Sequence, residues 1–186
     1  MASRTPARRL HKRQRIIRRG VYLLDRNFLR RPKRYVLQSV LATLTIAAVI
    51  AVQDSVSNVA LTSAMAASAF IIFQMPHSRF ARPRRVIGGH LVAVIVGLGA
   101  ALVVHSVLGQ GDESGLATDM TAAVALGVSL LAMAMTDTEH PPGAATVVGI
   151  VFSPNPLESG LLILCGAVAL SAIHHRTRDW LINLAH

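Results

Sequence analysis

The chain has 186 residues, of which 52% are hydrophobic and 15% are charged, and its formal net charge is +10. The length suits one soluble domain, but the apolar residues come in runs too long for a soluble fold, so the composition indicates an integral membrane protein. The single cysteine, Cys165, excludes an intrachain disulfide and a cysteine-ligated metal cluster.

The amino-terminal segment, residues 1–34, carries 13 of the 19 lysines and arginines and one acid, Asp25. Its apolar residues recur at helical spacing, at Leu10, Ile17, Val21, Leu24 and Phe28. This pattern predicts a basic amphipathic arm that faces the cytoplasm and binds anionic lipid. The segment supplies neither a folded nucleic-acid-binding motif nor the aromatic residues for base stacking, so no nucleic-acid partner is predicted. The first 24 residues lack acids, which is also typical of an organelle transit peptide, and that alternative stays open.

Five longer apolar runs follow the basic segment, at residues 35–52, 56–75, 86–108, 116–136 and 157–173. The first four have 18 to 23 residues and the fifth has 17, which suits a hydrocarbon core of about 30 Å at about 1.5 Å per residue. We therefore predict an all-α fold, a polytopic transmembrane helical bundle of five to six segments. The predicted transmembrane domain covers residues 35–175, and a short carboxyl-terminal tail covers residues 176–186.

The fourth run ends in a polar break, residues 136–146, with the sequence TDTEHPPGAAT. Pro141 has no amide hydrogen and Pro142 disfavours helical geometry at Pro141, so one helix must end before this pair and another can begin near Gly143. Broken backbone and ionisable side chains at membrane depth mark a functional site. The alternative is that Pro-Pro-Gly merely turns the chain, with Asp137 and Glu139 solvated.

A sixth apolar piece, residues 143–152, is too short to cross a membrane as a helix alone. Together with residues 137–142 it either crosses or re-enters. Length does not decide between these alternatives.

Charge favours six crossings, with one of them discontinuous at the break. The basic arm and the loop at residues 77–85, which has four arginines, are predicted to face the cytoplasm. The loop at residues 109–115 carries Asp112 and Glu113 and is predicted to face outward. The basic residues after the last run, Arg176 and Arg178, favour a cytoplasmic carboxyl terminus and hence an even number of crossings. Five helices with a re-entrant loop remain the alternative.

Two stretches carry a family resemblance. His-Pro-Pro followed by small residues and Thr146 resembles the signature of the HPP family of integral membrane proteins. The ordered pair MAASAFIIF (65–73) and ARPRRVIGGH (81–90), with Pro76 between them, resembles that family's small-residue helix, proline loop and VIGGH helix entry. The chain departs from the family pattern at Arg85, Glu139 and the Gly143–Ala144 pair. The family is polytopic and has a branch linked to nitrite transport, so the resemblance implies a transporter.

The break predicts an anion site. A helix that begins near Gly143 leaves its first amides unpaired and carries a partial positive charge, and a protonated His140 would add a full one. The carboxylates must then be neutral, turned away, or paired with a cation such as Arg85. The predicted substrate-binding residues are Ser68, His90, His140, Pro141, Pro142, Gly143, Ala144 and Thr146, with Asp137 and Glu139 as a proton relay.

No catalytic residue, metal site or cofactor is predicted, and the chain is not expected to be an enzyme. Phosphate-binding loops, nucleophile elbows and metalloprotease motifs are missing from the sequence. Asp137, Glu139 and His140 lie within four residues of one another, and three ligands so close in sequence seldom surround one ion.

Small residues at interface spacing predict helix-to-helix seams and a homo-oligomer. They form three faces: Ala60, Ala64 and Ser68; Ala125, Ser129 and Ala132; and Cys165, Ala169 and Ala172. The predicted function is a transporter or channel for a small inorganic anion, with nitrite implied by the resemblance. The alternative is a non-transporting scaffold or regulatory module recruited through the basic arm. The expected location is a bacterial inner membrane, with an organelle membrane as the alternative.

Overall fold

The computed structural model describes residues 26–53, 59–108 and 115–184, and these residues form helices and their connections without a strand. The helices are α1 (Arg26–Arg30), α2 (Pro32–Gln53), α3 (Val59–Gln74), α4 (Pro83–Val103), α5 (Leu116–Met135), α6 (Pro141–Val151) and α7 (Pro156–Thr177). A 3-10 turn at Arg79–Ala81 precedes α4, and a π-turn at Val104–Leu108 follows it. The predicted all-α polytopic bundle is confirmed. The predicted amphipathic pattern of the arm and the acidic loop of Asp112 and Glu113 lie outside the described residues.

The chain divides into two compact units, residues 1–33 and residues 34–186. Helix α1 belongs to the first unit. The second unit contains the helices from α3 to α7 and the polar break, so the site described below lies within one unit.

The apolar helices fall into two groups by length. Four helical stretches of 20 to 24 residues are long and apolar enough to cross a membrane: Pro32–Ala51, Pro83–Ser106, Leu116–Met135 and Pro156–Thr177. Helix α3 has 16 residues and α6 has 11, or about 24 Å and 16 Å. The full-length span expected at residues 56–75 is therefore shorter in the described structure.

Helix α5 ends by a mechanism that the prolines do not explain. The amide of Thr138 donates to the carbonyl of Met133 at 3.0 Å, and Asp137 has a left-handed φ of 54°. This is the Schellman pattern for a helix end, with Asp137 at the position that glycine usually occupies. The helix stops at Met135, well before the proline pair, and residues 136–140 form the connection.

Helix α6 begins at Pro141, not near Gly143 as expected, because proline is tolerated in the first turn of a helix. Its amino-terminal turn packs beside Gly89 in the second turn of α4. Its carboxyl-terminal end packs with Val104, just past the end of α4. Helix α6 therefore runs alongside α4 in the same direction, from the second turn of α4 towards its carboxyl-terminal end. This path agrees with the six-segment arrangement, because a re-entrant loop would return to the end where it begins.

Helices α4 and α6 contribute to both apolar clusters of the bundle. Buried side chains of α3, α4, α6 and α7 form one apolar cluster, and those of α4, α5 and α6 form a second. Two of the three predicted small-residue faces contribute buried residues, including Ser68 and Ser129. On the third face Cys165 and Ala169 are exposed and line a cavity together with Leu44 and Ala48 of α2. Helix α7 instead packs inward through Ile163, Ala167 and Leu170.

The carboxyl-terminal residues fold back onto the bundle. The amide of Leu184 donates to the carbonyl of Gln74 at 2.8 Å. The side chain of Gln38, 1% exposed, donates to the carbonyls of Phe73 at 2.7 Å and Ile182 at 3.0 Å. Gln38 thereby joins α2, the end of α3 and the last described residues, a role that its sequence context did not predict.

Candidate functional site

Four polar residues from three helices meet inside the bundle. Ser68 lies on α3, His90 on α4, His140 immediately precedes α6, and Thr146 lies in the second turn of α6. None of them is more than 1% exposed. All four were predicted site residues, and the fold brings together positions that lie up to 78 residues apart in the sequence.

Hydrogen bonds join these residues into one continuous chain. The Ser68 hydroxyl lies 2.9 Å from His90 Nε2 and 3.0 Å from His140 Nε2. The far side of the His90 ring, Nδ1, is 2.9 Å from the hydroxyl of Thr146, and the far side of the His140 ring is 3.2 Å from the carbonyl oxygen of Phe80. The two imidazole rings meet edge to face, with centroids 5.1 Å apart. The arrangement can hold a proton inside the bundle.

The glycine pair before His90 explains how the break packs against α4. A Cβ on Gly89 would lie 2.5 Å from His140 Cβ and 2.8 Å from the carbonyl oxygen of Thr138. A Cβ on Gly88 would lie 2.6 Å from the Thr138 methyl group. Side chains at both positions would therefore push residues 138–140 away and separate the two histidines.

The prediction that the first amides of α6 are unpaired and free to bind an anion is wrong. Pro141 and Pro142 occupy its first two positions and have no N–H group. The amide of the third residue, Gly143, donates to the carbonyl of His140 at 2.8 Å. These three residues therefore leave no amide to bind an anion.

Gly143 was predicted to bind the substrate, but its small size instead permits close helix packing. A Cβ there would lie 2.8 Å from the terminal methyl of Met133 and 3.1 Å from the carbonyl oxygen of Gly89. Gly143 thus permits close packing of α4, α5 and α6, and it gives a ligand no access to the backbone. Of its predicted neighbours, Pro141 is exposed, Pro142 is buried and Ala144 is half-buried.

Ion pairs join the polar break to α4. One guanidinium nitrogen of Arg85 contacts Asp137 and another contacts Glu139. The Arg85 side chain is only 9% exposed, whereas the side chains of Asp137 and Glu139 are 62% and 37% exposed. The pairing considered from the sequence is present, so the two carboxylates are not simply solvated. The neighbouring Arg84 points elsewhere and donates to the carbonyl of Thr136 at 3.2 Å.

These side chains do not assemble a metal site. Among the described residues, no group of three or more His, Cys, Asp or Glu side chains is placed to hold a metal ion. The two carboxylates contact Arg85, while the His140 ring contacts Ser68.

Comparison with known proteins agrees with the bundle and its break. A family profile described as "HPP, transmembrane region" matches residues 29–185. The chain is similar to a transmembrane protein of Dictyostelium discoideum, with 33% identity over 115 residues, covering 56% of this chain and 38% of the relative. A second transmembrane protein of the same organism is 31% identical over 115 residues, covering 61% of this chain and 34% of the relative. The matched segment thus spans little more than a third of these relatives. No solved structure matches the chain. The family match covers most of the sequence and includes both stretches that carry the resemblance, and the chain belongs to the HPP transmembrane family.

Proposed function

We propose that this membrane protein is a secondary transporter or channel for a small inorganic anion, with nitrite as the first substrate to test. The observation that carries the proposal is Arg85, a buried cation on a membrane-length helix, beside a helix break. Arg85 is the third residue of α4 and is buried in the bundle, where a charged side chain is costly unless it is paired. In membrane proteins such buried charges mark ion or substrate pathways. We place the protein in a bacterial inner membrane, with anionic lipid at its basic arm and further copies of itself as partners.

The anion chemistry follows from the partners of Arg85. A guanidinium offers N–H groups in a planar fork that matches two oxygens held on one central atom. In the described structure one oxygen of Asp137 and one oxygen of Glu139 contact two nitrogens of this fork. Nitrite also presents two oxygens on one atom, so it can replace a carboxylate at the same guanidinium. Asp137, with the more exposed side chain, is the partner that leaves.

Proton coupling follows from charge. Arg85 with two ionised carboxylates carries a net charge of −1, which repels an incoming anion. A proton on Asp137 removes that charge and releases one face of the guanidinium. One proton then enters with each anion, and no covalent step is required.

The test is nitrite uptake by the purified full chain in proteoliposomes, driven by a pH gradient that is acidic outside. The proposal expects saturable uptake that exceeds protein-free liposomes and collapses when a protonophore removes the gradient. Uptake no faster than in protein-free liposomes, for nitrite and for other two- or three-oxygen anions such as formate and nitrate, would contradict it. A scaffold recruited through the basic arm would give that result.

A further inference from the structure

The Ser68 hydroxyl has three hydrogen-bonding neighbours but only one hydrogen to donate. It lies 2.8 Å from the carbonyl oxygen of Ala64, in addition to its contacts with Nε2 of His90 and Nε2 of His140. A hydroxyl donates one hydrogen bond and accepts two, while a carbonyl only accepts. The number of protons on the two rings therefore decides which way the Ser68 hydroxyl points.

His140 is constrained from its other side. Its Nδ1 faces the carbonyl oxygen of Phe80 at 3.2 Å, so Nδ1 carries the hydrogen of that bond. When His140 is neutral, its Nε2 has no hydrogen and accepts from Ser68. The Ser68 hydroxyl then points away from the carbonyl of Ala64, which in an α-helix also accepts a backbone amide.

An added proton on His140 requires only that this hydroxyl rotate. Nε2–H of His140 then donates to Ser68, and Ser68 donates to Ala64 at 2.8 Å. His90 is the same in both states: its Nε2–H donates to Ser68, and its Nδ1 accepts from the hydroxyl of Thr146. Every polar hydrogen has an acceptor in both states, so the site gains a proton without moving a heavy atom.

The close approach of the two rings opposes a second proton. If both histidines were protonated, two positive charges would lie in rings whose centroids are 5.1 Å apart, in a site shielded from water. Like charges at this distance repel each other strongly. Helices α3 and α6 contribute no ionisable side chain. The charged groups around the pair come from α4, the 3-10 turn and the break, and are Arg79, Arg85, Asp137 and Glu139.

We infer that Ser68, His90 and His140 form a binding site for one proton, in which His140 carries the proton and the Ser68 hydroxyl turns between His140 and the Ala64 carbonyl. The role of this site rests on the proposed function: Asp137 accepts the proton at the break, and His140 holds it inside the bundle during transport. The existence of the site does not depend on which anion is carried.

Nitrogen NMR of the full chain in lipid nanodiscs, labelled with 15N only in histidine, tests the inference. Between about pH 4 and pH 8, one buried histidine should convert from the neutral Nδ1–H form to imidazolium. His140→Gln should remove that transition and identify it. His90 should remain neutral, with its hydrogen on Nε2, over the same range.

Ser68→Ala tests whether the Ser68 hydroxyl stabilises the proton on His140. It removes a hydrogen-bond partner of the charged ring, so the proton affinity of His140 should fall on the order of tenfold. Ser129→Ala is the matched control, because Ser129 is also fully buried on a packed helix but its hydroxyl has no hydrogen-bond partner in the structure. The control should leave the titration unchanged.

The inference is overturned by any of three results: His140 stays neutral throughout in the folded parent, both histidines become charged together, or Ser68→Ala binds the proton as tightly as the parent. If Ser68→Ala does not fold, the parent and His140→Gln spectra still decide the first two. The spectra need no transported anion. A protein that shows the expected titration but no anion flux would therefore contradict the proposed function and leave the proton site intact, and flux without the titration would do the reverse.

Discussion

Gly89 and His140 approach so closely that a side chain on the glycine would overlap the histidine, with 2.5 Å between the two Cβ positions. The contact joins the second turn of α4 to the last residue before α6. It fixes the position of His140, and through His140 it fixes the hydrogen-bond chain to Ser68.

Gly89→Ala should destabilise the fold and move His140. The new methyl group would also lie 2.8 Å from the Thr138 carbonyl oxygen, and overpacking of this kind costs about 1 to 3 kcal/mol. The free energy of unfolding, measured by titration with a denaturing detergent in mixed micelles, checks the prediction. Gly99→Ala is the matched control on the same helix, because a Cβ there meets nothing within 4 Å. Equal stabilities for the two variants would show that α4 and the break do not pack as described.

Asp137→Gly should be more stable than Asp137→Ala. Both variants lose the ion pair with Arg85, but the left-handed φ of 54° suits glycine and costs alanine about 1 kcal/mol. The same unfolding titration measures the difference. If alanine is tolerated as well as glycine, α5 does not end in the left-handed turn.

Single-cysteine labelling tests whether α6 crosses the membrane. In a Cys165→Ala background, Asn155→Cys follows α6 and Arg79→Cys precedes α4, and both parent positions are exposed. A membrane-impermeant maleimide should reach them from opposite sides. A cysteine at Gln110 should label from the same side as Asn155, since both follow an odd number of crossings in the six-segment arrangement. Labelling of Asn155 from the side of Arg79 would establish a re-entrant loop instead.

Local chemistry made the bundle and the position of the break predictable. Apolar runs near bilayer length marked the helices, and the crowding of charge around Pro141 and Pro142 marked the break. The pairing of Asp137 and Glu139 with Arg85 could also be considered in advance, because an anion site tolerates ionised carboxylates only if a cation neutralises them.

What the sequence could not provide are distances between remote segments. Nothing local shows that His90 and His140 share Ser68, or that Gln38 reaches the end of the chain. Helix α6 begins two residues before the predicted start, and this difference changes the chemistry of its first turn. A helix that begins at Gly143 has free amides, whereas one that begins at Pro141 has prolines where those amides would be.

The most direct test of the central claim, that an anion crosses by way of Arg85, compares nitrite uptake by Arg85→Gln and Arg84→Gln in proteoliposomes. The two arginines are neighbours on α4, but only Arg85 is buried and paired with the carboxylates of the break, whereas Arg84 is exposed. Arg85→Gln is combined with Glu139→Gln, which neutralises the less exposed of the two carboxylates that lose their partner. This protein should insert and fold but lose saturable uptake by tenfold or more, on the order of the loss of one charged hydrogen bond. Arg84→Gln should take up nitrite as the parent does. Parental uptake by the Arg85→Gln/Glu139→Gln protein, or an equal loss in Arg84→Gln, would contradict the account.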